Sequence, residues 1–189
     1  MHDSPLSRRR FLGVAGGVAA WLVAAPPDLF ATIDAAPAEG AGRYKVLNTA
    51  QVTAFDAFAA QVIPSEPGSP GAREARVTLF ADRALAGFAR EQRPDFEKAL
   101  AALNLRAGKG GFAALTSTRQ IEVMREMDRA DHGTFETLRA PVIAGMFANP
   151  SYGGNAGKAG WNLLGFKDQF SWQEPFGFYD QRAEISNRD

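Results

Sequence analysis

Apolar residues recur every three or four positions through most of the chain after Asn48, and the breaks between these runs fall at proline and glycine. Val52, Phe55, Phe58, Ala59 and Val62 make the first series, which predicts a helix capped by Asn48 or Thr49 and stopped by Pro64. The segment from Ile63 to Gly71 carries Pro64, Pro67 and Pro70, which fix φ and remove amide donors, so it reads as a stiff, turn-rich connection. From Ala72 a second helix is expected, with Ala75, Leu79, Phe80, Ala84, Leu85 and Phe88 inward and Arg73, Glu74, Arg76, Asp82 and Arg83 outward. Pro94 and Asp95 begin a third, with Phe96, Leu100, Leu103 and Leu105 on its apolar face, ending at Gly108, Gly110 and Gly111. Phe112 and Leu115 lie in a short break. Thr116, Ser117 or Thr118 then caps a fourth helix with Ile121, Met124 and Met127 inward. Gly133 separates it from a fifth, running from about Thr134 through Phe135, Leu138, Val142, Ile143 and Met146 to Phe147, in which Pro141 should kink the helix or mark its true start.

No segment alternates with period two over β-branched residues, so the reading is all-α: a bundle of about five helices joined by proline- and glycine-rich loops, without internal repeats. After Pro150 the helical pattern stops. Ser151 to Trp161 is glycine-dense, and Asn162 to Phe166 leads into an irregular aromatic tail with Phe170, Trp172, Phe176, Phe178 and Tyr179. Little of this stretch is expected to be helical. Its aromatic residues must fold back on the bundle or bury themselves in another protein, and aromatic anchors are what interfaces favour.

The other end of the chain has a pattern of its own. Ser7, Arg8, Arg9, Arg10, Phe11 and Leu12 have the order of a twin-arginine export signal, and an apolar run to Ala25 comes directly after. That run is shorter than the roughly 20 apolar residues a membrane-crossing helix needs, contains Gly13, Gly16 and Gly17, and stops at Pro26 and Pro27. An alanine- and proline-rich linker extends to Gly42; Ala36 and Ala38 suit cleavage before Glu39, Leu29 and Ala31 suit it less well, and the mature chain is expected to begin between Thr32 and Glu39. The expected division is therefore signal and linker over 1–38 and one helical domain over 39–189.

Composition narrows the chemistry. Net charge is zero, with no basic block beyond the leader, so neither a nucleic-acid footprint nor a polybasic membrane signal is present. Without cysteine the chain can form no disulfide, thiolate metal site or covalent haem attachment. The glycine loop invites a phosphate cradle, but Tyr152 stands where a Walker loop needs its first glycine and Ala159 stands where it needs a hydroxyl. His132 lies among Asp128, Asp131 and Glu136, yet no second histidine outside the leader is available for a metal. No serine sits in a nucleophile-elbow context.

Taken together, the leader, the first helix ending at Val62-Ile63-Pro64, the Pro70-Gly71-Ala72 lead-in, and Tyr152-Gly153-Gly154-Asn155 with Gly160-Trp161 before Leu164-Gly165-Phe166 resemble the small subunit, subunit 3 or gamma chain, of gluconate 2-dehydrogenase. The resemblance implies a non-catalytic partner of an FAD-containing large subunit, usually joined by a multihaem cytochrome c. FAD and haem c would then lie on those partners and none on this chain. It further implies that the twin-arginine translocase carries the flavoprotein to the periplasm on this chain's signal, and that the complex meets the membrane through partner subunits. No catalytic residue is carried over. Ser7, Arg8, Arg9, Phe11 and Leu12 are expected to form the export signal, and Tyr152, Gly153, Gly154, Asn155, Gly160 and Trp161 to shape the loop or a partner interface. The alternatives from other classes are a free-standing exported hydrolase using His132 and carboxylates, and a periplasmic module binding a small ligand at the glycine loop.

Overall fold

The computed structural model describes residues 44–168. The export-signal positions and the tail aromatics from Phe170 to Tyr179 lie outside the described residues.

Within that range the chain forms α1 (Thr49–Val62), α2 (Val77–Ala86), α3 (Arg93–Ala107), α4 (Ser117–Ala130), α5 (His132–Phe147) and the short α6 (Ala159–Leu163). Single 3-10 turns lie at Arg90–Gln92, Phe112–Ala114, Pro150–Tyr152 and Ala156–Lys158. No strand is present among the described residues. The fold is the all-α bundle that the periodicity predicts, with α5 packed against α2, α3 and α4.

Local chemistry sets the helix ends. Asn48 caps α1 by accepting from the Gln51 amide at 3.0 Å, and the Gln51 side chain accepts from the Asn48 amide at 2.9 Å, a reciprocal pair that satisfies two donors no helix can satisfy itself. Thr116 caps α4 and Asp131 caps α5. The Asp131 carboxyl is held below the ordinary carboxylate range, first by the Thr134 hydroxyl and then by the Thr134 amide. Because Asp131 ends α4 as well as starting α5, the break precedes Gly133, which sits in the first turn of α5. Pro141 does not mark the start: the helix runs through it from His132.

The core is aromatic. Phe55, Phe58, Phe80, Phe96 and Phe112 are fully buried, each worth about 1.5–3 kcal/mol in transfer from water. Phe55 meets Phe96 edge-on at 5.0 Å, and Phe58 meets Phe135 edge-on at 5.7 Å, tying α1 to α3 and α5.

Three inward or outward assignments are corrected. Leu105 is 82% exposed, because the buried stripe of α3 is Phe96, Ala99, Leu100 and Leu103, and nine residues beyond Phe96 is the opposite side of a helix. Ile121 is exposed because Gln120 takes the inward place: its amide donates to the Phe112 carbonyl at 3.1 Å and its oxygen accepts from Gln61 at 2.7 Å. Asp82, expected to face solvent, is fully buried. Its carboxylate accepts the backbone amides of Lys45 (2.6 Å), Val46 (2.9 Å) and Leu47 (2.9 Å), so the segment before α1 is clamped to the middle of α2.

The proline-rich connection is pinned as well. A Cβ on Gly71 would lie 2.6 Å from the Ile63 carbonyl oxygen, so only glycine permits this approach. The Glu74 carboxylate receives the Ser65 hydroxyl at 2.6 Å and the Gly71 amide at 2.9 Å, and these bonds, the hydroxyl first, hold it below the usual carboxylate range.

Candidate functional site

The glycine-dense stretch is where sequence expectation and structure differ most. It is not a free loop. Asn149 caps the 3-10 turn Pro150–Tyr152, a second turn lies at Ala156–Lys158, and α6 occupies Ala159–Leu163, so much of a stretch expected to be irregular is helical in short pieces.

What organises it is the C-terminal end of α5. The last carbonyls of a helix have no partner within it. Here the Gly145 carbonyl accepts the Asn155 amide at 2.8 Å, the Phe147 carbonyl accepts the Trp161 indole N–H at 2.9 Å, and the Ala148 carbonyl accepts the Asn155 side-chain amide at 2.9 Å. The remaining Asn155 oxygen accepts the Gly160 amide at 2.8 Å, which starts α6. Asn155 is fully buried and stands at φ 44°, a left-handed conformation that asparagine tolerates better than most residues. One side chain thus closes α5 and opens α6.

The glycines are there because backbone meets backbone. A Cβ on Gly154 would come within 2.3 Å of the Gly145 oxygen, and one on Gly160 within 2.0 Å of the Met146 oxygen. Gly153 stands at φ 94° beneath the Arg83 side chain, where a Cβ would lie 2.6 Å from a guanidinium nitrogen.

Docking of the loop also explains why α2 begins late. Residues 72–76 make turns, and the helix starts only at Val77, because Arg76 is left-handed (φ 55°, ψ 39°). That break frees the Ala75 carbonyl to accept the Ala156 amide at 3.1 Å; in an unbroken helix it would be taken up four residues on.

Of the six loop positions singled out by sequence, Gly154, Asn155 and Gly160 are buried and committed to the chain's own backbone. Gly153, Tyr152 and Trp161 are half-buried. Tyr152 meets Phe88 edge-on at 6.4 Å, and Trp161 meets Phe166 at 5.3 Å. Beside them Leu163, the last residue of α6, and Leu164 and Phe166 just after it are 48%, 65% and 46% exposed, an apolar ledge that the sequence reading did not count among its interface candidates.

The other candidates do not gather. His132 is exposed, and its Nδ1 bonds Asp128 at 2.6 Å. Among the described residues no three acidic or histidine side chains come together as a metal site. No described helix is long and apolar enough to cross a membrane.

Fold and loop together define a small helical domain closed at one end by an inlaid glycine loop. The chain belongs to the gluconate 2-dehydrogenase subunit 3 family, whose sequence model matches residues 49–168, well over half its length. No curated protein and no solved structure matches it significantly.

Proposed function

We propose that this chain is a non-catalytic subunit of a periplasmic, membrane-associated dehydrogenase of sugars or polyols, which it escorts through twin-arginine export and then stabilises. The observation that carries this reading is membership, over residues 49–168, in a family named as a subunit of a dehydrogenase. The Ser7–Leu12 motif supplies the address. In this reading FAD sits on the large subunit and haem c on a multihaem cytochrome partner, neither of which needs a cysteine here. The ledge of Leu163, Leu164 and Phe166 supports it, since neighbouring exposed apolar side chains at one end of a small domain suit burial by another protein.

The test is co-expression with a flavin dehydrogenase encoded beside it. With this chain present, the flavoprotein is expected in the periplasmic fraction in active form. Changing Arg8 and Arg9 to lysine should hold both proteins in the cytoplasm. Periplasmic, active flavoprotein in the absence of this chain would overturn the escort role.

A further inference from the structure

The loop that caps α5 leaves a cavity of about 280 Å³ against α2, lined by Arg76, Leu79, Arg83, Pro150, Ser151 and Gly153, among others. Arg76, Leu79 and Arg83 are three and seven residues apart. Leu79 and Arg83 share one face of α2, and Arg76, the left-handed residue just before that helix, lines the same cavity, so two long basic side chains border one small space. The side chain of neither arginine makes an ion pair or hydrogen bond among the described residues, although arginine side chains elsewhere on the surface do, as Arg73 with Asp56 and Arg119 with Glu122 show. The Ser151 hydroxyl is buried in the same wall and has no partner. A buried hydroxyl without a partner is uncommon in folded proteins. Two unpaired guanidinium groups and a spare hydroxyl donor around one cavity describe a receptor for an anion.

The loop's backbone decides which anion. A phosphate cradle uses several converging amide donors, but most of those the loop brings to the cavity are spent, Ser151 on the Asn149 side chain, Gly153 on Pro150 and Ala156 on Ala75, which leaves the amide of Gly154 alone among the loop residues that line it. What remains beside it is planar guanidinium, the partner that fits a carboxylate through two parallel bonds, next to the apolar Leu79 and Pro150. We propose that the Arg76–Arg83 cavity binds a single carboxylate group, carried either by a free small acid or by an acidic side chain of the dehydrogenase partner. The second source rests on the function proposed above, and the first does not.

The experiment has two arms. In the first, the purified full chain is titrated with acetate and with succinate against chloride at constant ionic strength, following the backbone amide resonances of Gly153 and Gly154. Binding of a free acid gives saturable shifts at these two positions. Arg83→Met should weaken that binding about tenfold or more, the worth of a charged hydrogen bond, and Arg90→Met, outside the cavity, should leave it unchanged. Ser151→Ala, a smaller perturbation, keeps the test valid if Arg83→Met disturbs folding by circular dichroism.

In the second arm, co-purification with the co-expressed dehydrogenase is compared for the same variants. Loss of the complex on Arg83→Met but not Arg90→Met, with no saturable shift from the free acids, assigns the carboxylate to the partner. Saturable shifts with an intact variant complex assign it to a small acid. No saturable shift together with an unaffected complex overturns the proposal. If wild-type chain and dehydrogenase never co-purify, the subunit function falls and the titration still decides the cavity.

Discussion

The aromatic interior of the bundle and the glycine loop at its end are held by opposite means. Phe55, Phe58, Phe96 and Phe112 fill the space between helices with large side chains, and their stability comes from apolar surface removed from water. Gly154 and Gly160 contribute the absence of a side chain, and the loop's stability comes from hydrogen bonds to the end of α5. The first region is protected by volume and the second by closeness. A change that empties one should leave a cavity, whereas a change that fills the other should push backbones apart.

The largest expected effect is Phe55→Ala, which should lower global stability by about 3–5 kcal/mol in denaturant unfolding, with α1, α3 and the loop losing protection together. A loss confined to α1 would mean the core is not one cooperative unit. Next comes Gly160→Ala. Its Cβ cannot fit beside the Met146 oxygen, so about 1–3 kcal/mol is expected. That loss should appear as faster amide exchange over 150–164 while the exchange of α1 and α3 stays near wild type. Equal loss in both regions would erase the contrast.

The smallest effect is Glu74→Gln, at the proline-rich connection. Because the folded-state pKa of Glu74 is lowered, its contribution is present above the ordinary carboxylate value and is lost as pH falls through the lower folded value. Wild type and variant should therefore differ slightly near pH 6 and converge in acid, as read by thermal midpoints; the group is exposed, so the difference is small. A difference that persisted into acid would tie it to packing rather than charge.

The same contrast explains what could be read from the sequence. Helices α1, α3, α4 and α5 announce themselves through their period, and α1 and α4 through their caps as well, because burial of a stripe of large residues is a property of the helix itself. Leu105 and Asp82 went astray where residue type and helical angle disagreed, and Asp82's partners, Lys45 to Leu47, lie too far along the chain for local pattern to reveal them. The loop was legible as an unusual composition and as a family resemblance, but not as a helix cap. What makes Gly160 or Asn155 necessary is the carbonyl opposite, and nothing in local spacing says which carbonyl that will be. The late start of α2 was hidden for the same reason, since it depends on Ala156, at the far end of the bundle's sequence.

The buried Asp82 has a mechanical consequence. The segment Lys45 to Leu47 is fastened through three short bonds made side by side to one carboxylate. A tug on that segment loads all three bonds at once and passes the force into α2, instead of peeling the first turn of α1 open one bond at a time. It works as the strain relief does on a cable, letting the front of the molecule be pulled without unravelling the helices behind it.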